Sequence, residues 1–341
     1  MASFEKLRIA VVGAGFMGRL HARSIAESEI ASLAGIVDPV EAAGREAAAL
    51  FDTHHLASVE DALGRSDIDA FVVAVADRQH QVAIPILEQG KPVLLEKPMA
   101  HDLDAAKRIA AAARASDARL MVAHILRFDP RYVQAAERIR AGEIGDPIHA
   151  SSGRLTVRDV GLRMNGTSSV CFYMGVHDVD ILQWLSGKNV TTVFARAAGT
   201  LMASLGVDSE DAVFSICEME DGMVGTLHCG WSLPSDMPTG IWARSEVVGT
   251  KGVVDVDVRD HGLRVMGPRG WRLPDGLHWP EVNGRLAGDL REEIGHFVAA
   301  VRDDRPFVIS VEEALRAVAV NDAILKSVRS GRRETVADWR L

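Results

Sequence analysis

Lys97 is the most unusual chemical group in the sequence, because it closes an apolar segment that should form a buried strand. The segment reads VLLEKP over residues 93–98, so Glu96 and Lys97 follow three apolar residues directly. Open parallel sheets bind ligands outside the carboxyl ends of their strands. An ammonium at such an end can polarise a substrate hydroxyl and stabilise negative charge developing on its oxygen. From the residues alone, a lysine that extends to solvent and pairs with Glu96 is an equally good interpretation.

A glycine-rich segment, VVGAGFMG, places Gly13, Gly15 and Gly18 in the G-x-G-x-x-G pattern. In dinucleotide-binding domains the first glycine makes a tight turn, the second lets the backbone approach a pyrophosphate, and the third packs helix against sheet. Asp38 closes the next predicted strand, 20 residues beyond Gly18, where a carboxylate bonds the ribose hydroxyls. The pattern predicts dinucleotide binding. It favours NAD over NADP, because a carboxylate repels a 2′-phosphate.

His177 is the candidate general base. An imidazole, with an unperturbed pKa of about 6.5, accepts a proton readily near neutral pH. On the predicted helix, Tyr173 and Asp180 share the face of His177, while Asp178 points elsewhere. Asp180 is therefore expected either to orient the imidazole or to brace the fold. The residues alone also fit a core histidine on an amphipathic helix.

The elements that must position these groups fall into two halves. Residues 1–125 alternate short apolar strands with helical segments, which predicts βαβ units and a parallel sheet. Residues 126–341 contain longer alternating strands, among them PIHASSGRLTVRD at 147–159, and the segments MEDGM and GTKG are typical hairpin turns. We predict an α/β chain with an N-terminal Rossmann domain, followed by an α+β domain with a large, open, mainly antiparallel sheet.

Composition excludes several functional classes. The net charge of −9 argues against nucleic acid or an anionic membrane as the main partner. There is no apolar run of 18 residues, and the N-terminus does not resemble a signal peptide. The three cysteines and twelve histidines are too scattered for a disulfide framework or a metal site, and THHL at 53–56 is expected to be a surface loop. A cytoplasmic protein without a metal is expected.

Taken in order, these motifs resemble those of the glucose–fructose oxidoreductase / inositol dehydrogenase (Gfo/Idh/MocA) family, over nearly the whole chain. The segments that carry the resemblance are the glycine loop, His80 with IPILEQGKPVLLEKP, RFDP, GEIGDP, HDVD and GTKG. The resemblance implies hydride transfer at a carbon of a sugar, polyol or related molecule, with Lys97 and His177 as catalytic residues. It also implies a dimer or tetramer, because the open sheet often supplies a subunit interface.

Tyr173 departs from the family pattern, in which an aspartate usually stands four residues before the histidine. Tyr173 either joins the proton path or contacts the substrate, or else it is a packing aromatic and Lys97 and His177 act without it. As cofactor-binding residues we predict Gly13, Gly15, Phe16, Met17, Gly18, Asp38, His80, Glu96 and Lys97. As substrate-binding residues we predict Lys97, Arg127, Arg158, Asn165, Tyr173, His177 and Asp180.

Several assignments stay open at this point. Arg127 could instead form an interdomain ion pair, Asp77 could cap a helix, and Trp231 could be a core residue. A redox cycle that retains its cofactor, as in isomerisation or glycoside cleavage, is an alternative reaction. A sensor that binds dinucleotide and sugar without catalysis is an alternative of another class.

Overall fold

The computed structural model describes residues 6–268 and 270–340, which form two compact units. The first unit contains the described residues up to Phe128, together with Leu277–Leu315 and Arg340. The second contains Asp129–Gly276 and Arg316–Trp339. No helix within the described ranges combines the length and the apolar character that a membrane crossing needs.

The first unit is built on a six-stranded parallel sheet. Its strands are β1 Leu7–Val12, β2 Ala31–Val37, β3 His55–Leu56, β4 Ala70–Val73, β5 Val93–Glu96 and β6 Leu120–Ala123. Its order is β3-β2-β1-β4-β5-β6. The intervening helices are α1 Phe16–Ala26, α2 Glu41–Leu50, α3 Val59–Leu63, α4 Ala83–Glu88 and α5 Leu103–Ala115. The predicted Rossmann architecture is confirmed.

The second unit is built on a seven-stranded mixed sheet. Its strands are β7 Pro147–Val157, β8 Val190–Ala198, β9 Ala212–Met219, β10 Val224–Leu233, β11 Ile241–Gly249, β12 Val253–Asp257 and, later in the chain, β17 Glu334–Thr335. The order is β12-β11-β7-β10-β9-β8-β17, and only β7 and β10 pair in parallel. The predicted large, mainly antiparallel sheet is confirmed.

Helices and short hairpins complete the chain. The remaining helices are α6 Pro130–Arg140, α7 Arg158–Met164, α8 Val176–Ser186, α9 Thr200–Ser204, α10 Asp289–Arg302 and α11 Val311–Ser330. The remaining strands are β13 Val265–Gly267, β14 Gly270–Arg272, β15 Glu281–Val282 and β16 Arg285–Leu286. Shorter helical turns are Asp77–Val82, Ile125–Phe128 and Glu220–Gly222, which are 3-10 helical, and Cys171–Gly175, which is π-helical.

The helix α10 lies in the first unit, although the sequence-based division assigned its residues to the second domain. Its buried side chains Ile294, Phe297 and Val298 join the same apolar cluster as Ile9 and Val11 of the parallel sheet. Their i, i+3, i+4 spacing forms an apolar stripe. The amphipathic pattern predicts the helix, but it does not predict whether its apolar face packs in the core of the first or of the second unit.

Two local expectations are wrong. The strand predicted to include Asp159 ends at Val157, and α7 begins at Arg158 with Asp159 in its first turn, where a carboxylate stabilises a helix. The loop predicted at 53–56 contains the edge strand β3, which pairs with the end of β2. A two-residue strand has no periodicity of its own, so only the neighbouring strand determines it.

Candidate active site

The glycine loop connects β1 to α1 and has a steric reason for each glycine. Gly13 has φ +105°, and an added Cβ would lie 2.5 Å from the carbonyl oxygen of Ala74. At Gly18 a Cβ would lie 1.9 Å from the carbonyl oxygen of Gly13, so the helix can approach the loop only without a side chain. A Cβ added at Gly15 would meet nothing within 4 Å beyond its own helix and chain neighbours, which leaves the loop open on that side.

Asp38 places its carboxylate beside this loop. One oxygen, Oδ2, accepts a hydrogen bond from the backbone N–H of Ala14, and Oδ1 accepts from the N–H of Val40, both at 2.8 Å. A carboxylate oxygen can accept more than one hydrogen bond, so both retain capacity for ribose hydroxyls. The two backbone bonds hold the carboxylate in one orientation.

The start of α1 fits the phosphates of a dinucleotide. Phe16 and Met17 are its first two residues, and the backbone N–H groups of a first helical turn have no partner within the helix. Those groups and the helix dipole favour an anion. Phe16 is 68% exposed, which leaves this entrance open on its side. The open loop, the unhindered Gly15 and the fixed carboxylate of Asp38 therefore fit NAD.

Lys97 directly follows β5, at the carboxyl end of the parallel sheet, as predicted. Glu96, the last residue of the strand, is buried and turns its carboxylate inward. Its Oε1 lies 2.8 Å from Nε2 of His21, and its Oε2 accepts from the backbone N–H of Lys97 at 3.2 Å. Burial raises the pKa of Glu96. The hydrogen bond from His21 and the nearby positive charges lower it by more, so the pKa of Glu96 lies below its usual value. Both oxygens therefore serve as acceptors.

His80 lies beneath the same segment and is almost completely buried. Its Nδ1 is 2.8 Å from the carbonyl oxygen of Pro98, and its Nε2 is 3.1 Å from that of Val75. Burial lowers the pKa of His80 despite these bonds and the charge of Glu96. His80 thus ties the Lys97–Pro98 segment to the end of β4, and its contact with the cofactor stays a prediction. The open alternative that Asp77 caps the following helix does not hold for this turn, because Asp77 is its first residue and Ala76 precedes it as the N-cap.

Arg127 forms an ion pair within the first unit. Its side chain is 2% exposed, and Nη2 donates to Oε1 of Glu313 at 3.0 Å. Both residues belong to the first unit. A role in substrate binding stays a prediction for Arg127.

In the second unit, a buried ion pair sets the rotation of α8. Asp178 accepts from Nε of Arg154 at 3.1 Å and from the hydroxyl of Ser152 at 2.8 Å, so it faces β7. Adjacent helical residues differ in direction by about 100°. His177 is accordingly only partly buried, whereas Asp180, three residues on, is 3% exposed. The orienting role of Asp180 stays a prediction.

Tyr173 lies in the π-helical turn Cys171–Gly175 that leads into α8. The wider turn changes the simple i−4 relation to His177 on which the sequence argument depended. Nη2 of Arg163 donates to the phenolic oxygen of Tyr173 at 3.3 Å. The ring of Tyr173 also lies 6.3 Å from that of Trp231, which is fully buried and belongs to the core.

The helix α7 carries the remaining predicted substrate residues at its two ends. Arg158 is the first residue of the helix, and its Nε donates to the carbonyl oxygen of Leu233 at 3.4 Å. Asn165 caps the other end in the left-handed conformation with φ 45° and is exposed. Asparagine tolerates this conformation better than most residues, so Asn165 has a structural reason besides the predicted functional one.

Two buried residues of the site were missed from the sequence, His21 on α1 and Glu293 on α10. Glu293 follows Leu290 by three residues and precedes Phe297 by four, so a carboxylate interrupts an apolar stripe. That interruption was a usable signal, because unpaired charges are rarely buried. His21 lies within a helical segment and carries no such signal.

Comparisons with known proteins identify both halves of the chain. Residues 7–124 match the model for the "Oxidoreductase family, NAD-binding Rossmann fold", and residues 132–255 match the "GFO/IDH/MocA C-terminal domain". An inositol 2-dehydrogenase of Corynebacterium glutamicum (strain R) is 31% identical over 260 residues, which are 74% of each chain. The rhizopine catabolism protein MocA of Rhizobium meliloti is 27% identical over 93% of this chain and 94% of its own.

A solved structure agrees over almost the full length. GenD2 from gentamicin A biosynthesis, crystallised in complex with NAD, superposes with a TM-score of 0.85 at 25% identity, covering 98% of this chain and 97% of GenD2. With both family domains matched in order and a glycine loop and carboxylate that fit NAD, the chain belongs to the Gfo/Idh/MocA family of NAD-binding oxidoreductases.

Proposed function

We propose that this oxidoreductase transfers hydride between NAD and a secondary alcohol or ketone of a sugar, an inositol-like polyol or a sugar derivative. The inositol 2-dehydrogenase that is 31% identical over three quarters of the chain is the observation that carries the proposal. The lysine after β5 and the histidine on α8 support it, since both are retained where the family resemblance expects catalytic groups.

In the oxidative direction, His177 accepts the hydroxyl proton and Lys97 polarises the substrate oxygen. Bound NAD supplies the hydride acceptor. The ammonium of Lys97 stabilises the negative charge that develops on the oxygen as the proton leaves. The reverse direction uses the same groups, with His177 as the acid.

Tyr173 is proposed to contact the substrate. The hydrogen bond from Arg163 supports this role, because it fixes the phenolic oxygen beside the first turn of α8. The same tyrosine, in place of the usual aspartate, is the observation that favours a second candidate, a non-catalytic protein that senses dinucleotide and sugar. In that case the purified protein binds NAD but reduces none of it with any polyol.

The outer face of the second unit's sheet is proposed to form a homodimer or homotetramer interface. Large apolar side chains are exposed on this face by strands β8 to β11, namely Phe194, Phe214, Ile216, Val224 and Trp242. Contiguous apolar patches of this kind are typical of interfaces. A reducing cytoplasm is the proposed compartment, since all three cysteines are buried free thiols.

The experiment that tests the function is a screen of inositols, hexoses and sugar derivatives, followed by the absorbance of reduced nicotinamide. We expect substrate-dependent reduction of NAD with at least one inositol-like polyol. Turnover of a substrate without net NADH would instead favour a cofactor-retaining cycle. NAD binding without any reduction across the panel would favour the sensor.

A further inference from the structure

Glu293 is a buried carboxyl group that neither the fold nor the proposed reaction explains. It lies on α10 with 0% exposure, and neither carboxylate oxygen has a hydrogen-bond partner within the described residues. Removing an unpaired carboxylate from water is so costly that such a group takes up a proton instead. Burial raises the pKa of Glu293 well above its usual range, and the charges of Glu96 and Asp289 raise it further.

The neighbouring Glu96 is in the opposite state. Its two oxygens accept from His21 and from the backbone N–H of Lys97, so its bonds favour the ionised form. A second ionised carboxylate close by is disfavoured by repulsion. These contacts therefore favour an ionised Glu96 beside a protonated Glu293.

The bond between Glu96 and His21 connects two parts of the cofactor site. His21 lies on α1, the helix that begins at Phe16 directly after the glycine loop. Glu96 is the last residue of β5 and holds the backbone of Lys97. On the other side, His80 holds the carbonyl of Pro98. The bond between His21 and Glu96 thus links α1 to the segment that carries Lys97.

The charged groups on the elements around Glu293 include two that have partners of their own. On its own helix, Asp289 lies 2.8 Å from Nδ1 of His278. The helix α10 packs against α1 and against the 3-10 turn Ile125–Phe128. In that turn Arg127 pairs with Glu313. Besides burial, the charges that raise the pKa of Glu293 are those of the Glu96 and Asp289 carboxylates.

We propose that Glu96 and His21 are positioning residues that couple the NAD-binding helix to Lys97, and that Glu293 is the neutral acid that keeps a single charge in this buried network. The inference rests on the proposed role of Lys97. It adds His21 and Glu293 to the residues considered from the sequence, and it gives Glu96 the role of holding the backbone of Lys97.

The protonation of Glu293 is tested by infrared spectroscopy of the full-length protein at neutral pH. We expect the carbonyl band of a protonated carboxyl group in the wild type and its loss in Glu293→Gln. Glu292→Gln is the matched control, because Glu292 is the exposed neighbour on the same helix and its removal should leave the band in place. A wild-type spectrum without the band would overturn the assignment of Glu293.

The coupling is tested by a double-mutant cycle on Glu96→Gln and His21→Gln, with the dissociation constant of NAD and kcat as readouts. We expect each single variant to weaken NAD binding and to lower kcat by about tenfold or more, because each breaks one bond to a charged group. The double variant should bind NAD no more weakly, and turn over no more slowly, than the more impaired single variant, because both substitutions break the same bond. Additive losses, or unchanged NAD binding in both single variants, would overturn the coupling.

Two measurements separate this inference from the proposed function. Thermal unfolding of each variant shows whether it folds, and if Glu96→Gln does not, His21→Gln alone must still weaken NAD binding. If Lys97→Ala keeps full turnover, the proposed function fails. The infrared band and the NAD affinities still test the network of Glu96, His21 and Glu293. If Lys97→Ala abolishes turnover while Glu96→Gln and His21→Gln change neither readout, the network alone is refuted.

Discussion

Replacement of Asp38 by asparagine should weaken the preference for NAD over NADP, and the hydrogen bonds of the Asp38 carboxylate set the expected size of the change. The carboxylate accepts N–H bonds from Ala14 and Val40 at 2.8 Å each, and these hold it at the glycine loop. Asparagine has one acceptor oxygen and one NH₂ donor, so one of the two bonds is lost and the ribose loses an anionic acceptor. A hydrogen bond to a charged group contributes about 1.5–3 kcal/mol. At 1.4 kcal/mol for each factor of ten, we expect NAD to bind roughly 10- to 150-fold more weakly.

The assay is isothermal titration of NAD and NADP into the wild type, Asp38→Asn and a control variant. Glu41→Gln is the control, because it removes an exposed carboxylate three residues along the chain that pairs with Arg45 on the same helix. NADP binding should weaken less than NAD binding, or improve, since the repulsion of the 2′-phosphate is gone. Equal NAD affinity for Asp38→Asn and the wild type would refute the reasoning.

Four further predictions concern the site and the surface. Lys97→Ala should lower kcat by orders of magnitude with an unchanged thermal midpoint, and near-wild-type turnover would contradict its catalytic role. Tyr173→Phe should alter the pH dependence of kcat/KM if the phenol joins the proton path, whereas an unchanged profile would leave it a contact or packing residue. Ile216→Asp should reduce the molar mass in light scattering to that of a monomer, while Leu205→Asp, also exposed but outside the sheet, should not. Because the folded-state pKa of Glu293 lies above its unfolded value, the contribution of Glu293 to the free energy of unfolding falls as pH rises above about 4.3. It falls by up to about 1.4 kcal/mol for each pH unit until the raised pKa is passed. The thermal midpoint of Glu293→Gln should therefore exceed that of the wild type by a margin that grows with pH, and a constant margin would contradict a buried neutral acid.

The parts of the site that could be predicted from the sequence are those whose chemistry is local. Gly13 and Gly18 are required by atoms of the loop and of the strand beside it, so their spacing alone indicates the turn. Asp38 and Lys97 close strands, and the carboxyl ends of parallel strands meet at one edge of a sheet. These positions were therefore accessible from the alternation of apolar strands and helices.

Residues whose role depends on distant partners could not be assigned in this way. Arg127 pairs with Glu313, which is 186 residues away, and no local pattern predicts that choice. The π-helical turn before α8 altered the expected face of Tyr173, because the sequence argument assumed a regular helix. Its bond from Arg163 depends on α7, and the sequence pattern placed the first two residues of that helix, Arg158 and Asp159, at the end of a strand.

By itself the sequence determined the two architectures, the dinucleotide loop, the carboxylate beside that loop and the lysine at the strand end. All of these follow from periodicity and from steric rules that act over a few residues. Only the tertiary structure decided that α10 covers the parallel sheet and that Glu293 lies buried on it. It also decided that His21 meets Glu96 across 75 residues of chain. Burial and long-range pairing determine the protonation of a carboxyl group, and both depend on which distant elements pack together.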